Sequence, residues 1–283
     1  MTLDAGRSHG LPVASATVTL LPNFESGGKR RLLGGLSIFA RFAVAAAAIV
    51  LAWQLFSVQF DSPVLFPGPA KTAERAVELI REGRLQADIL ASLQRIVIGF
   101  AIGSLIGASI GLAMGSFRLV ADLLQPLVNF FRFVAPTAWI ATFMVWFGLG
   151  ETSKIALIIY ATVFVVLLSA MIGVGAVDRN KIRAAQCLGA SERQILLWVK
   201  LPAALPYILT GMRMAMMNSF MTVVSAEMIA AESGLGFLIY NSRQWMETDS
   251  IFVGMLALGV VGLLSDRLFV LMTRTLLRRF SLR

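Results

Sequence analysis

The sequence predicts an all-α integral membrane protein with about six transmembrane helices. Of the 283 residues, 57% are hydrophobic and only 14% are charged, whereas soluble domains average about 45–50% and about 25%. The apolar residues also gather in runs long enough to cross ~30 Å of hydrocarbon, which takes ~20 helical residues. These observations disfavour a cytosolic enzyme and exclude a disordered chain, collagen and a coiled coil.

The N-terminal stretch over 1–35 holds no apolar run long enough to span a membrane. It contains a Gly27-Gly28 pair and the basic cluster Lys29-Arg30-Arg31. It has no short apolar core followed by a small-residue cleavage site, which a secretory signal requires. We therefore expect a flexible cytoplasmic tail over 1–35, with an amphipathic surface anchor as the alternative, and a transmembrane domain over 36–283.

The apolar segments that follow must be helical, because lipid cannot satisfy open backbone polar groups. Their approximate limits are 36–58, 93–116, 123–147, 153–176, 204–230 and 251–273. The segment 69–90 is charged and amphipathic, which predicts an external helix outside the membrane. Prolines near helix starts or inside helices predict kinks or re-entrant turns at Pro126, Pro136 and Pro206.

The net charge of +9 is explained by membrane topology. Lys and Arg are more frequent in the segments that face the cytoplasm when the N-terminus is placed inside, namely 1–41, 117–122, 178–200 and 266–283. Both termini are then cytoplasmic, and no nucleic-acid partner is expected. Because Cys187 and His9 are the single cysteine and histidine, we expect neither a disulfide framework nor a metal site.

The second predicted span carries a glycine at every fourth position: Gly99, Gly103, Gly107, Gly111 and Gly115. This step keeps all five on one helix face, where a neighbouring backbone can approach closely. Glycine costs up to ~1 kcal/mol in a helix interior, so the repeat predicts a packing gain that offsets the cost. Static packing and a helix that slides or tilts against its neighbour both remain open.

The predicted cytoplasmic loop 178–202 carries the signals of two short helices. Asp178 can cap the first, and Gly189 can end it in the left-handed conformation. Ser191 followed three residues later by Gln194 matches a capping box. This much local structure predicts a rigid knob for a soluble partner, whereas the alternative is a basic segment resting on anionic lipid.

Several motifs occur in order along the chain. The loop carries Ala184, Ala185, Gly189, Ala190, Ile195, Leu201, Pro202, Pro206 and Gly211, and it is flanked by the motifs at 146–150, 226–228 and 233–236. Together they resemble the "EAA" coupling loop and flanking motifs of binding-protein-dependent ABC importer permeases, in the nitrate/sulfonate/taurine branch. The resemblance covers roughly residues 60–280. Arg183 departs from it, since the family usually has glutamate there.

The resemblance implies the type I ABC importer permease fold and a transport subunit of the bacterial inner membrane, without catalytic or metal-binding residues. It implies a second permease subunit, as a homodimer, two ATPase subunits and an extracytoplasmic binding protein that delivers a small anionic solute such as nitrate, a sulfonate, taurine or bicarbonate. The chain contains no G-x-x-x-x-G-K-[ST] motif. ATP and Mg are therefore expected on the partner ATPase, with no cofactor in this chain. The implied ATPase-coupling residues are Arg183, Ala184, Ala185, Gly189, Ala190, Ser191, Ile195, Leu201 and Pro202.

Charged residues within predicted spans usually face protein or a water-filled path, because they are costly in lipid. Arg132 is a candidate attractor for an anionic solute, with a salt bridge to Glu227 or snorkelling as alternatives; for Arg213 we expect snorkelling. The stretch 231–250 resembles the external gate region of the family. Two structures remain open for it: a lid over the translocation path, or an aromatic belt with a re-entrant turn. The candidate translocation-path residues are Arg132, Glu227, Gly234 and Gly236.

Two other classes of function compete with an ATP-driven importer. An ion-gradient-driven secondary transporter typically shows internal repeats, and none is convincing here. A membrane anchor or scaffold needs no charge inside its spans. Dependence of uptake on ATP or on an ion gradient separates the two transporters, and absence of solute flux indicates a scaffold.

Overall fold

The computed structural model describes the backbone of residues 28–59 and 65–277, and side chains within those ranges from residue 43 onward, apart from 230 and 275–277. Most of the predicted tail over 1–35 lies outside the described residues. The chain divides into two compact units, Met1–Ala52 and Trp53–Arg283.

Every element in the described ranges is helical. In chain order the helices are α1 (Gly28–Gln59), α2 (Pro69–Arg81), α3 (Arg84–Ser116), α4 (Arg118–Phe131), α5 (Ile140–Phe147), α6 (Glu151–Gly175), α7 (Arg179–Cys187), α8 (Glu192–Ile195), α9 (Leu201–Ala230), α10 (Leu235–Gln244) and α11 (Thr248–Leu277). A 3₁₀ turn over Pro136–Trp139 leads into α5, and a π-helical turn over Leu196–Lys200 joins α8 to α9.

Four helical runs in the described residues are long and apolar enough to cross a membrane: Arg84–Ser116, Glu151–Gly175, Glu192–Ile229 and Thr248–Arg274. The predicted span over 123–147 is a broken helix pair, which agrees with the kink or re-entrant turn predicted at Pro136. That stretch is split between α4 and the segment Pro136–Phe147, which are bent by 86°. Pro136 accounts for the break, because it holds Ala135 in an extended conformation (φ −59°, ψ 139°) and cannot donate to a continuing helix.

The amphipathic helix is shorter than the predicted 69–90. α2 ends at Arg81, and Gly83 adopts a left-handed φ of 74°, so that α3 starts at Arg84 instead of near 93. Arg75 of α2 donates to Glu247 at 3.0 Å and to Ser250 Oγ at 2.9 Å. Its hydrogen bond with Glu78 raises the pKa of Arg75. α2 is therefore fixed to the start of α11.

The five glycines of α3 lie against α6. A methyl group at Gly103 would lie 2.8 Å from Thr162 Cβ, and one at Gly107 would lie 2.6 Å from the carbonyl oxygen of Val163. Since carbon contacts are optimal at about 3.5–4.0 Å, a larger residue would push the helices apart. The facing positions of α6 are also four residues apart: Ile158, Thr162, Val166, Ala170 and Val174.

α6 packs on α9 as well as on α3, and it is the central helix of the second unit. A methyl group at Gly173 would lie 2.8 Å from Tyr207 Cβ, and Gly211 of α9 abuts the Ser169 side chain. A buried apolar cluster joins the two helices through Val166, Ala170, Val174, Ala204, Ile208 and Ala215. The three helices α3, α6 and α9 form the core on which the functional segments are placed.

Candidate functional site

The loop 178–202, named here the coupling segment, has the local structure that the sequence predicts. Asp178 caps α7 by accepting a hydrogen bond from Asn180 N at 2.9 Å. The segment then turns at Gly189, whose φ of 77° lies in the left-handed region that favours glycine. Ser191 and Gln194 form a reciprocal capping box, with Ser191 N donating to Gln194 Oε1 at 2.8 Å. Both predicted short helices are confirmed.

The second helix of the coupling segment continues directly into the membrane. Glu192–Ile229 is one run of 38 residues, named here the long helix, which measures ~57 Å at ~1.5 Å per residue. The sequence predicts a separate span over 204–230, but the π-helical turn over Leu196–Lys200 joins the two helices without a loop. α8 and α9 are therefore parts of one continuous helical run.

The predicted coupling residues differ in exposure. Arg183, Ala184, Gly189 and Ser191 are exposed, Ala185, Ala190, Leu201 and Pro202 are half-buried, and Ile195 is buried. The structure adds three large apolar side chains that sequence reasoning did not select, Leu188 at 88%, Leu197 at 56% and Trp198 at 79% exposed. Exposed apolar side chains in one segment with exposed Arg183 are typical of a protein-binding surface.

Lys200 connects the coupling segment to the end of α3. Its side chain is 9% exposed, and Nζ donates to the carbonyl oxygen of Ser116, the last residue of α3, at 3.4 Å. The final carbonyl groups of a helix lack partners within it and carry partial negative charge. Lys200 therefore satisfies one of them and holds the long helix to α3.

In the N-terminal half of α3, Arg95 is 4% exposed and lies at the centre of a set of polar contacts named here the Arg95 network. Nε and Nη2 donate to the two carboxylate oxygens of Glu151 at 2.5 and 2.8 Å. Nη1 donates to Glu227 Oε1 and to the carbonyl oxygen of Ser233, both at 2.7 Å, and Nη2 donates to Ser233 Oγ at 3.2 Å. A guanidinium has five N–H donors, and all five are engaged.

Glu227 is fully buried and is held by three donor groups. Besides Arg95, Ser92 Oγ lies 2.8 and 2.9 Å from its two oxygens, and Gly236 N donates at 2.9 Å. A buried ion pair is tolerated only when further hydrogen bonds offset the desolvation of its charges. The enclosure also means that Glu227 does not line an open path in this conformation.

The predicted gate glycines pack on Glu227. Gly234 has a φ of 120°, and its N–H donates to Asp88 Oδ1 at 2.8 Å. A side chain on Gly234 would collide with the Glu227 carboxylate, and a methyl group at Gly236 would lie 2.6 Å from the carbonyl oxygen of Val224. The structure therefore brings Glu227, Gly234 and Gly236 together in a closed cluster.

Sequence reasoning singled out Glu227 but missed two buried cations, Arg95, which pairs with Glu227, and Lys154, which pairs with Glu151. Arg95 and Lys154 lie inside the predicted spans 93–116 and 153–176, where charges are costly and therefore informative. That signal was sufficient to find both residues. Lys154 is buried, and its Nζ donates to Glu151 at 2.9 Å, so Glu151 joins two buried cations at the start of α6.

The other charged residues within the spans lie apart from this network. The suggested salt bridge between Arg132 and Glu227 is wrong, because Glu227 pairs with Arg95. The expectation that Arg213 snorkels is also replaced, since its guanidinium makes a two-point ion pair with Asp266 at 2.6 and 2.8 Å. Arg132 itself is exposed.

Arg132 lies at the break between α4 and the 3₁₀ turn. Its guanidinium carbon is 4.8 Å from the ring centre of Phe133. The hydroxyl of Tyr160 donates to the carbonyl oxygen of Phe131 at 2.7 Å and also approaches that of Val134 at 3.1 Å. Tyr160 thus satisfies backbone groups that the break leaves without helical partners.

The chain belongs to the family described as binding-protein-dependent transport system inner membrane component, whose model matches residues 91–281. It is 38% identical over 239 residues to a probable ABC transporter permease protein of Brucella melitensis, covering 84% of this chain and 94% of that protein. It is 36% identical over 238 residues to the taurine transport system permease protein of Escherichia coli (82% and 86% covered). It is 33% identical over 241 residues to the bicarbonate transport system permease protein of Synechococcus elongatus (81% and 86% covered).

The fold is similar to that of a chain in the inward-facing MetNI methionine ABC transporter. The TM-score is 0.51 at 18% identity, covering 64% of this chain and 93% of that one. These findings confirm the predicted all-α permease fold and the family resemblance. The protein is a multi-pass inner-membrane transport subunit, and its family membership implies ATPase and binding-protein partners.

Proposed function

We propose that this chain is the permease subunit of an ATP-driven importer and forms the translocation path for a small anionic solute. The observation that carries the proposal is the coupling segment, a capped and partly apolar knob continuous with the 38-residue long helix. Such an element converts movement of a soluble partner into movement of a membrane helix. A passive connector between spans requires neither feature.

The soluble partner in this proposal is an ATPase, present as two subunits beneath two permease subunits. ATP and Mg bind to the ATPase, and this chain needs no cofactor of its own. Leu188 and Trp198 supply apolar contact, and Arg183 selects an ATPase with a complementary acidic surface. The remaining contacts come from the predicted coupling residues on either side of Gly189.

We place the coupling segment and both termini in the cytoplasm, and α2 with the 231–250 region on the outside. The Lys200–Ser116 contact supports this placement, because it puts the coupling segment, with its basic helix α7, at the same end as Arg118, which follows Ser116. Arg and Lys in short loops favour the cytoplasmic side. The binding protein then docks at the opposite end.

The solute class rests on the relatives named for taurine and bicarbonate transport; taurine carries a sulfonate group, so each offers an anionic oxygen group. Arg132 is the proposed attractor for the anionic solute, because it is exposed and lies beside the N-terminal end of the helical segment Pro136–Phe147. The N-terminal ends of broken membrane helices carry partial positive charge and attract anionic groups. Replacing Arg132 with Gln should lower uptake. Arg213→Gln is the matched control, since Arg213 is also exposed but is paired with Asp266; equal uptake by both variants would remove Arg132 from the path.

The second permease subunit is proposed to be another copy of this chain. Along the most apolar stretch of α11 no residue is buried within the described protomer, and exposed residues there include Leu256, Val260 and Leu263. A second copy could cover part of this surface, whereas lipid would cover it in a monomer. Native mass spectrometry of the purified complex distinguishes two copies from one.

Affinity purification of this chain in mild detergent tests the proposal. An ATPase with a P-loop should co-purify at about one copy per permease. A chain that purifies alone and moves solute in liposomes without ATP would overturn the proposal in favour of an ion-gradient-driven transporter. The buried carboxylates Asp88 and Glu227 are the feature that favours that alternative, since proton relays use such groups.

A further inference from the structure

Arg95 joins elements that are distant in the sequence but would move together during transport. It lies on α3, while its acceptors are Glu151 at the start of α6, Glu227 on the long helix and Ser233 in the following turn. Glu227 is two residues before the end of the long helix, whose other end is the coupling segment. The Arg95 network is thus the far terminus of the element on which the proposed ATPase acts.

We propose that Arg95 is a positioning residue that fixes the turn 231–236 to the end of the long helix and to α3. The turn and α10 then follow the coupling segment as part of one body, and do not open as an independent lid. This proposal deepens the proposed function and rests on it for the role in transport. The placement of the turn itself does not depend on that function.

The contacts of the turn leave it little freedom to open alone. Ser233 is held by Arg95, Gly234 N by Asp88, Leu235 N by Ser92 Oγ at 2.9 Å, and Gly236 N by Glu227. The first buried side chain of α10, Leu235, is fully enclosed. Opening the turn would expose four backbone contacts and the carboxylate of Glu227, which is costly for groups buried in an apolar environment.

α3 is also held at its other end, where Lys200 binds the Ser116 carbonyl. The long helix and α3 are therefore connected near both ends, and α6 is joined to α3 along the glycine ladder. Relative sliding of these three helices is restricted at each of those contacts. A displacement of the coupling segment therefore carries the turn with it.

The geometry requires arginine and not simply a positive charge. Lysine has three donors on one nitrogen, whereas the guanidinium has five in a planar fork. One ammonium group cannot reach both oxygens of Glu151, Glu227 and two atoms of Ser233 at once. Arg95→Lys keeps the charge that Glu227 needs and removes the geometry, which separates positioning from neutralisation.

The first test measures the position of the turn by cysteine labelling of the detergent-solubilised complex. Cys187→Ser removes the single native cysteine, and Ser242→Cys places a reporter of similar size at a position in α10 that is 2% exposed. Arg95→Gln should raise the labelling rate roughly 100-fold, and Arg95→Lys about 10-fold, because the buried pair is broken or distorted. Arg213→Gln, which removes an exposed membrane ion pair, should leave the rate unchanged.

Unchanged labelling in a folded Arg95→Gln protein would overturn the proposal. If that variant does not assemble, Arg95→Lys serves instead, because it keeps a positive charge beside Glu227. Protection of the Arg95→Lys protein as complete as in the parent would then overturn the proposal.

The second test measures solute imported per ATP hydrolysed by assembled, reconstituted complexes. Arg95→Lys should lower this ratio by roughly 2- to 30-fold. If Arg95 only stabilised the fold, the complexes that still assemble would import as much solute per ATP as the parent. A normal ratio together with fast labelling would overturn the role in transport but keep the placement of the turn. Absence of ATP-dependent import in the parent protein would instead contradict the proposed function.

Discussion

Gly107→Ala should destabilise the protein through the contact between α3 and α6. The added methyl group would lie 2.6 Å from the carbonyl oxygen of Val163 and 3.1 Å from Val166 Cβ. Restoring ordinary contact distances requires the helices to separate by about 1 Å, which forfeits a quarter to a half of the local dispersion attraction. Because overpacking typically costs ~1–3 kcal/mol, we expect a loss of that size in the free energy of unfolding.

The matched control is Gly262→Ala on α11, where a methyl group would meet nothing within 4 Å. That substitution should be neutral or stabilising by up to ~1 kcal/mol, because alanine is the better helix former. Unfolding in mixed detergent micelles, followed by tryptophan fluorescence, measures both variants. Equal free energies of unfolding for the two would refute the claim that the glycine ladder is required for close packing.

Three further predictions concern the coupling segment and the helix break. Gly189→Val, which forces a β-branched residue to a φ of 77°, should lower solute uptake several-fold while ATP hydrolysis continues; uptake that stays normal would contradict the coupling role. Trp198→Ala should reduce the amount of co-purifying ATPase, whereas Trp146→Ala, at a 63% exposed position outside the segment, should not; equal yields would remove Trp198 from the interface. Tyr160→Phe removes the hydroxyl that donates to the Phe131 carbonyl and leaves Val134 N as the donor to that carbonyl at 3.0 Å; it should therefore cost ~0.5–1.5 kcal/mol of unfolding free energy, a prediction that unchanged stability would contradict.

The local structure of the coupling segment could be predicted because its signals are local. A capping side chain lies within three residues of the backbone group that it binds, as Asp178, Ser191 and Gln194 show. The left-handed turn at Gly189 likewise depends on one residue type. Such features follow from the chain's own chemistry and do not require knowledge of which helices are neighbours.

The Arg95 network could not be predicted in the same way, because its contacts join residues more than 50 positions apart, such as Arg95 with Glu151 and Glu227. A charge inside a span indicates that a partner exists, but not which one. The suggested pairing of Arg132 with Glu227 failed for this reason. Choosing the correct cation required the packing of α3 against α6 and the long helix.

The break in the third predicted span, 123–147, could be predicted only in part. The prolines predict that a kink is possible in this region, but the size of the bend depends on contacts from elsewhere. Tyr160 of α6 satisfies the exposed carbonyl groups, and aromatic rings from Phe131, Trp139 and Phe143 pack around the break. These tertiary contacts stabilise an 86° bend in a stretch whose composition alone is compatible with one continuous helix.

Measuring whether solute uptake depends on ATP is the most direct test of the proposal that this chain is a subunit of an ATP-driven importer. The complex that co-purifies with this chain should be reconstituted in liposomes with its binding protein and an anionic solute such as taurine or bicarbonate. We expect uptake that requires ATP on the side of the membrane that holds the ATPase and that persists when ion gradients are dissipated. Uptake by the chain alone that needs an ion gradient and no ATP would contradict this proposal.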